Sequence, residues 1–144
     1  MSAKVLQIRR GTSVQNSAFV GAEGELIYVQ DQMTLYVHDG ATPGGWPVQA
    51  PIAERLLAWS FASAFQLVNV NRDTNGAITT ASIMWPDGGT GLFTTDATDP
   101  TFLGAINAWH ATYVLNGVSK LVTQAAVTRD ALGNITQQPT ITVN

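Results

Sequence analysis

Few side chains in this sequence could carry out catalysis. The histidines are His38 and His110, and no serine lies in a Gly-x-Ser-x-Gly motif. A nucleophile needs an adjacent base, and His38 is followed directly by Asp39, which could orient it. Neighbouring residues of a strand point to opposite faces, so Asp39 is poorly placed for that role. We predict that this His-Asp-Gly segment ends a strand and starts a turn, and that the chain has no catalytic residue.

The acidic residues are arranged for turns rather than for chemistry. Asp73-Thr74-Asn75-Gly76 matches the start of a calcium loop, but the distal glutamate is missing. The similar Asp130-Ala131-Leu132-Gly133 lacks the second oxygen ligand. Glycoside hydrolysis needs two carboxylates about 5–10 Å apart in a cleft, and most acidic residues here fall in predicted turns. With no cysteine for a thiolate site, we predict no metal, no cofactor and no enzyme activity.

Aromatic side chains near predicted loops are the one group suited to recognition. Amphipathic rings are enriched at recognition surfaces and stack on sugar rings. Core packing is the alternative for each of the four candidates, which are Trp46, Trp85, Trp109 and Tyr113. We take Trp85, Asp87 and Trp109 as candidate receptor contacts. Trp85 is the one that we expect to be exposed, because a turn at residues 86–89 follows it.

The charge content is low for a soluble domain. Charged residues make up 12% of the 144-residue chain and hydrophobic residues 45%, against about 25% charged residues in ordinary domains. A chain of this size needs more charge to cover its surface, so we expect part of the surface to be buried against other copies. The net charge of −3 and the pI near 5.1 exclude the basic surface of a nucleic-acid-binding protein.

No segment has the features of a membrane span or of a secretory signal. The longest apolar run, residues 56–65, is interrupted by serines and is too short for the roughly 30 Å of a bilayer core. No long apolar region follows the N-terminal charges. We therefore expect a soluble product, made in the cytoplasm of whatever cell expresses it, that does not insert into a membrane.

Three strands are predicted near the N-terminus, at residues 4–9, 25–30 and 34–38, because these segments are rich in β-branched and aromatic residues. The short connection at 31–33 favours a hairpin. Glycines in the loop at 39–45 can adopt a positive φ without steric cost. Three short strands cannot bury a core alone, so their apolar side chains need cover from elsewhere.

One helix is predicted, from Pro51 to about Phe65. Pro51 suits the first helical position, and Glu54 in the first turn favours the helix dipole. Apolar residues occur almost all round this segment, which is typical of a helix buried on more than one side. The heptad pattern is poor, so we expect a short packed bundle rather than a long coiled coil.

The segment from Gln66 onward is predicted to be β again. Two similar stretches, residues 70–79 and 127–136, each read as strand, Arg-Asp, a glycine-containing turn and a second strand. Further turns are predicted at 85–89 and at 116–117. Six or seven short antiparallel strands follow from this spacing, which favours a small β-sandwich.

The order of four short motifs near the N-terminus resembles a known family. Within forty residues the chain contains Arg9-Arg10-Gly11-Thr12, Phe19-Val20-Gly21, Gly24-Glu25-Leu26 and His38-Asp39-Gly40. This segment resembles the N-terminal module of phage tail-fibre and receptor-binding proteins, in particular phage tropism determinants. In that family the module is a three-sided β-prism built by three chains around one axis. Phage hyaluronidases carry related segments, but their catalytic parts are long trimeric β-helices, for which this chain is too short.

The resemblance implies a homotrimer with a β-prism for trimerisation and virion attachment at 1–48. The residues that follow predict a helical connector at 49–66 and a small antiparallel β-sandwich at 67–144, so the expected fold is mainly β. The expected trimer core consists of Phe19, Leu26, Tyr28, Leu35, Val37, Leu56 and Trp59. The glycines expected to set the backbone of the prism are Gly11, Gly21, Gly24, Gly40, Gly44 and Gly45.

The function implied is that of a virion component, a short tail fibre or spike that contributes to attachment to the host surface. Its expected partners are other copies of itself, other tail or baseplate proteins, and a glycan or protein of the host. The alternative is a non-adhesive adaptor, or a head or neck fibre, that links other virion proteins. A depolymerase is a third class; Asp96 and Asp99 share a predicted loop, but nothing around them in the sequence indicates the raised pKa that an acid catalyst needs.

Overall fold

The computed structural model describes residues 8–144. The chain divides into two compact units, of which the first ends at Arg55 and the second begins at Leu56. Most of the strand predicted at residues 4–9 lies outside the described residues. Strands are the main element and nearly all pair antiparallel, so the prediction of a mainly β fold is confirmed.

The first unit contains a four-stranded sheet in the order β1-β2-β3-β4. The strands are β1 Arg9–Gly11, β2 Leu26–Val29, β3 Thr34–Val37 and β4 Trp46–Pro47. β1 pairs with β2 in parallel, and the other pairs are antiparallel. The predicted hairpin is present as β2–β3, and a 3-10 turn over Gln30–Gln32 connects its strands.

A short helix that the sequence reading missed follows β1. Helix α1 covers Ser13–Ser17, so the expectation of a single helix was wrong. Thr12 and Gln15 form a capping box, in which the Thr12 amide donates to Gln15 Oε1 at 2.9 Å and the Gln15 amide donates to Thr12 Oγ1 at 3.3 Å. The motif Thr-x-x-Gln is the sequence signal for this arrangement.

The predicted central helix is shorter and less buried than expected. Helix α2 covers Ile52–Phe61. It ends early because Ser63 adopts a left-handed conformation with φ 48° and the Ala64 amide bonds back to the Trp59 carbonyl at 2.8 Å. Ile52 and Leu56 are buried, whereas Phe61 is exposed. Within one chain the helix therefore has a single buried stripe, not burial on several sides.

The second unit is built on one six-stranded antiparallel sheet in the order β12-β9-β8-β7-β6-β5, beside a separate hairpin of β10 and β11. The strands are β5 Gln66–Arg72, β6 Ile78–Met84, β7 Thr90–Thr98, β8 Ile106–Leu115, β9 Val118–Gln124, β10 Thr128–Arg129, β11 Ile135–Gln137 and β12 Thr142–Val143. The expected sandwich of two sheets is therefore corrected to a single sheet with a hairpin. Each predicted turn joins strands that are neighbours in the sheet, and turn signals alone do not divide strands between sheets.

One face of the six-stranded sheet is buried. Ala81, Phe93, Ala111 and Val122 are paired across four adjacent strands, and all are buried. Aromatic rings cover this row, with Phe65 lying 5.2 Å from Trp85 and 6.4 Å from Phe93 between ring centroids. This aromatic cluster is the hydrophobic core of the second unit.

Candidate functional site

His38 is a packing residue at the centre of the first unit. Its side chain is buried, and its ring meets the Phe19 ring edge-on with centroids 5.3 Å apart. The Gly21 amide donates to His38 Nδ1 at 3.1 Å. Because Nδ1 accepts this bond, the ring proton belongs on Nε2, which has no partner among the described residues. A buried ring that is held this way supports the predicted structural role.

Two glycines make room for the His38 ring. A Cβ atom on Gly21 would lie 2.7 Å from His38 Cγ, and one on Gly45 would lie 2.7 Å from the Val37 carbonyl oxygen and 3.0 Å from His38 Nδ1. Gly45 also has a φ of 64°, which favours glycine. Of the six glycines expected to set the backbone, Gly24, Gly40 and Gly44 also have positive φ, whereas Gly11 and Gly21 do not.

Asp39 organises the following loop instead of orienting His38. Its carboxylate accepts hydrogen bonds from the Thr42 amide and hydroxyl, both at 2.7 Å, from the Ala41 amide at 3.0 Å and from Trp46 Nε1 at 3.2 Å. Hydrogen bonds from Thr42, and then from Ala41 and Trp46, hold the pKa of Asp39 well below its ordinary value. The geometry therefore excludes a His-Asp catalytic pair.

The lowered pKa of Asp39 predicts a loss of stability in acid. A carboxyl whose pKa is lower in the folded state stabilises the fold above its unfolded pKa, near 3.8, and loses this effect as the pH falls through the folded pKa. Asp39→Asn removes the charge, so we expect a midpoint a few degrees lower at pH 7 and a smaller further fall below pH 4. Thermal unfolding followed by circular dichroism between pH 2 and pH 7 measures both.

Glu23→Gln is the control for this experiment, because Glu23 is exposed and makes none of these loop bonds. The pKa values of Asp99 and Asp130 are also lowered by hydrogen bonds to their own loops. The Asp39→Asn chain should therefore still lose some stability in acid. Equal pH profiles for the Asp39→Asn and Glu23→Gln chains would contradict the role assigned to Asp39.

Four of the seven expected trimer-core residues lie together on one face of the first sheet. Leu26 pairs with Val37, and Tyr28 pairs with Leu35. Directly paired residues point to the same side of a sheet. We call this surface the N-terminal face; it consists of Leu26, Tyr28, Leu35 and Val37, all of which are partly exposed.

The opposite face of the same sheet is buried within the chain, where Ile27, Val29 and Thr34 are almost inaccessible. The sequence reading did not separate these two faces.

The other three expected trimer-core residues lie elsewhere. Phe19 packs between His38 and Arg9, whose guanidinium carbon is 4.3 Å from the ring centroid. Leu56 is completely buried within one chain, so its assignment to a contact between chains was wrong. Trp59 lies in the second unit, 6.4 Å from the Trp85 ring.

The candidate receptor contacts are engaged in the core of the second unit. Trp85 is only 1% exposed, and its Nε1 donates to the Thr112 carbonyl at 2.9 Å. The expectation that Trp85 is exposed was therefore wrong. Ala81, Ile83 and Trp85 occupy alternate positions, and all three are buried. Because alternate residues of a strand point to the same face, this spacing predicts a buried Trp85 in spite of the turn that follows it.

The two other candidate receptor contacts, Asp87 and Trp109, also make contacts within the chain. Asp87 accepts bonds from the Gly89 amide at 3.0 Å and from the Tyr113 hydroxyl at 2.9 Å. Trp109 is partly buried, with its ring 5.5 Å from Phe93. These residues therefore do not form an exposed aromatic platform.

The two Arg-Asp hairpins are built in the same way. Asp73 Oδ1 accepts from the amides of Asn75 and Ala77, and Asp130 Oδ1 accepts from the amides of Leu132 and Asn134. In each hairpin the preceding arginine donates to the turn glycine carbonyl, at 2.6 Å from Arg72 and 2.8 Å from Arg129. The carboxylates therefore bind turn amides, and residues 8–144 contain no cluster of side chains suited to a metal ion.

A pair that the sequence did not reveal joins Asp96 and His110. His110 Nδ1 lies 2.8 Å from Asp96 Oδ1, and the two side chains are 33% and 41% exposed. The two residues are fourteen positions apart and come together only through the pairing of β7 with β8.

No helix within the described part of the chain is long and apolar enough to cross a membrane.

Known proteins are similar to the N-terminal segment of this chain. The family model of the major tropism determinant N-terminal domain matches residues 6–42. A tail fiber receptor-binding protein of Bordetella phage BPP-1 is 46% identical over 43 residues, which are 30% of this chain and 11% of that protein. The resemblance to phage tail-fibre receptor-binding proteins is thus confirmed for this segment.

Solved structures of the P3c and U1 variants of the major tropism determinant are also similar. Each is 23% identical, with a TM-score of 0.31, and the match covers 96% of this chain and 25% of the other. The chain spans about a tenth of the length of the curated relative and a quarter of the length of these structures.

Proposed function

We propose that this chain is a component of a phage tail fibre that assembles as a homotrimer through the N-terminal face. The single observation that carries the proposal is the position of the N-terminal face within a segment that matches the tropism-determinant family. The relative is named as a receptor-binding tail fibre. We extend that role, and the location in the virion tail, to this chain.

The physical reason for assembly is the lack of cover on the N-terminal face. Four large side chains lie side by side on two short strands and remain partly exposed. A sheet of this size is marginal in water unless another element covers its apolar surface. Trp46, which pairs with Val37, extends the same side of the sheet and is 59% exposed. Three copies packed around a common axis would cover these side chains, and no additional segment of the chain would be needed for that purpose.

A charge on the N-terminal face tests this assembly. Leu35→Glu places three carboxylates at the proposed interface, and an uncompensated buried charge costs about 3–5 kcal/mol. Since each 1.4 kcal/mol is a factor of ten, we expect the association constant to fall at least about 100-fold. The particle mass measured by size-exclusion chromatography with light scattering should fall from three times the 15.3 kDa chain mass to the mass of one chain.

Val14→Glu is the matched control, because Val14 lies on α1 in the same unit and is 79% exposed. We expect this variant to retain the trimer. A folded single chain of unsubstituted protein at micromolar concentration would contradict the homotrimer, as would a trimeric Leu35→Glu variant.

Attachment to the host surface is the proposed role of the assembled fibre. Binding of the purified trimer to bacterial surface fractions and to a glycan array tests it directly. We further propose that binding occurs without hydrolysis, because the cavities beside Phe19, Tyr36 and Phe65 have no acidic residue in their lining. Release of reducing ends from host polysaccharide, lost on substitution of one carboxylate, would contradict this.

A non-adhesive adaptor that links other virion proteins is the second candidate function. The burial of Trp85 and the engagement of Asp87 and Trp109 favour it, since these residues were the candidates for receptor contact. Absence of binding to every bacterial surface fraction, together with imaging of the chain between two virion parts, would select the adaptor.

A further inference from the structure

Two Asn-Gly dipeptides lie in exposed turns of the second unit. Asn75-Gly76 lies between β5 and β6, and Asn116-Gly117 joins β8 to β9. Both asparagines and both glycines are exposed, and the two glycines have nearly equal φ values of 84° and 81°. The two turns are thus alike in dipeptide and exposure, and they differ in their hydrogen bonds.

An asparagine that is followed by glycine can react with its own backbone. The glycine nitrogen attacks the side-chain amide carbon of the asparagine, a carbon–nitrogen bond forms, and the side-chain NH2 leaves as ammonia with the proton of the glycine amide. Water then opens the resulting succinimide ring at either carbonyl, which leaves aspartate or isoaspartate. Glycine favours the attack because it has no Cβ atom that hinders a close approach of the backbone. The reaction therefore needs a glycine amide that is not engaged and an asparagine that can rotate.

Hydrogen bonds hold the first turn in place. The Gly76 amide donates to the Asp73 carbonyl at 3.1 Å, so the attacking nitrogen is engaged. Asp73 Oδ1 accepts from the amides of Asn75 at 2.8 Å and Ala77 at 2.9 Å. Arg72 donates to the Gly76 carbonyl on the other side of the turn. Rotation of Asn75 and attack by the Gly76 nitrogen would have to break several of these bonds.

The second turn lacks these restraints. No hydrogen bond joins the Asn116 amide or the Gly117 amide to another of residues 8–144. Asn116 has a φ of 50°, a left-handed conformation that is unfavourable for a residue with a side chain, although asparagine tolerates it. A Cβ atom on Gly117 would have nothing within 4 Å. The tip of this turn can therefore change its conformation without losing a hydrogen bond of its own.

We propose that Asn116 is a site of spontaneous deamidation in the folded protein, and that the hydrogen bonds of the first turn protect Asn75. The reaction is intramolecular up to the succinimide, and its co-reactant is water. It adds one negative charge to the net charge of −3. The isoaspartate product also lengthens the main chain by one carbon atom within a two-residue turn, whose length sets the pairing of Leu115 with Val118. The proposal goes beyond the proposed function and does not depend on the homotrimer.

Mass spectrometry of the aged protein tests this proposal. The full chain is incubated at mildly alkaline pH, at which the glycine amide loses its proton more readily, and samples are digested at intervals. Both sites lie in one tryptic peptide, between Arg72 and Lys120. Chymotrypsin separates them because it cleaves after Phe93. Each deamidation raises the mass of its peptide, since an NH2 group is replaced by OH.

We expect deamidation at Asn116 to be faster than at Asn75 by about tenfold or more in the folded protein, because a tenfold difference corresponds to about 1.4 kcal/mol, the order of one or two hydrogen bonds. The same chain in concentrated guanidinium chloride is the control. Unfolding removes the hydrogen bonds of both turns, so the two sites should then react at similar rates. Equal rates in the folded protein, or a faster rate at Asn75, would overturn the proposal.

Asp73→Ala tests the cause of the protection. This variant removes the acceptor of the Asn75 and Ala77 amides, so we expect the rate at Asn75 to rise towards the rate at Asn116, which serves as the reference within the same molecule. Circular dichroism checks that the variant is folded. A rate at Asn75 that stays slow in folded Asp73→Ala protein would overturn the protection assigned to these bonds. If the variant does not fold, the comparison of the two sites in the unsubstituted chain still decides the proposal.

Discussion

Gly91→Ala is expected to destabilise the second unit by about 3 kcal/mol or more, at the upper end of the range for overpacking. A Cβ atom at this position would lie 1.9 Å from the Thr112 carbonyl oxygen and 2.7 Å from its carbon. The obstacle is backbone of the neighbouring strand, which cannot rotate away as a side chain can. The flanking pairs, Thr90 with Val114 and Phe93 with Ala111, hold the two strands at this distance.

Urea unfolding followed by circular dichroism measures the effect. Gly117→Ala is the control, because its φ of 81° is unfavourable for alanine but nothing lies within 4 Å of the added atom. A left-handed residue costs about 1–2 kcal/mol. The Gly91→Ala loss should therefore be clearly the larger, and equal losses would mean that β7 and β8 are not held as closely as described.

Trp85→Ala is expected to lower the free energy of unfolding by about 3–5 kcal/mol, the usual range for removal of a buried large aromatic side chain. Trp85 contacts the rings of Trp59, Phe65 and Tyr113 at centroid distances of 5.2 to 6.4 Å. The substitution removes these contacts and the Nε1 bond to Thr112. Urea unfolding by circular dichroism avoids the change in tryptophan fluorescence.

Two further variants separate the contribution of the buried ring to stability from that of its hydrogen bond. Trp85→Phe retains most of the ring but loses the hydrogen bond, so we expect a smaller loss that includes about 1–3 kcal/mol for the unpaired Thr112 carbonyl. Phe61→Ala removes a ring that is 57% exposed at the end of α2, and its effect should stay within about 0.5 kcal/mol. If Trp85→Ala cost no more than Phe61→Ala, Trp85 would have to be exposed, as the sequence first indicated.

Local signals predicted the elements whose partners are close in the chain. The β2–β3 hairpin follows from two strand-forming segments separated by three residues. The two Arg-Asp hairpins follow from an aspartate and a glycine at fixed spacing, and their hydrogen bonds are the same. The Thr12–Gln15 capping box also predicts helix α1, but a helix of five residues is too short to show a periodic pattern of apolar residues.

Local signals failed where burial depended on distant strands. The turn after Trp85 predicts a position at the surface, whereas in the structure β8 supplies the Thr112 carbonyl and the Tyr113 ring that enclose Trp85. The pairing of Asp96 with His110 has the same origin, since only the register of β7 with β8 brings the two together.

The sequence by itself determined the mainly β character, the positions of the hairpin turns and the family of residues 6–42. These depend on backbone preferences and motifs confined to a few neighbouring residues. Only the tertiary structure decided that six strands share one sheet, which side chains face its core, and that the N-terminal face stays partly exposed within one chain. Those properties arise from packing between residues far apart in sequence, where the gain in buried surface outweighs any local preference.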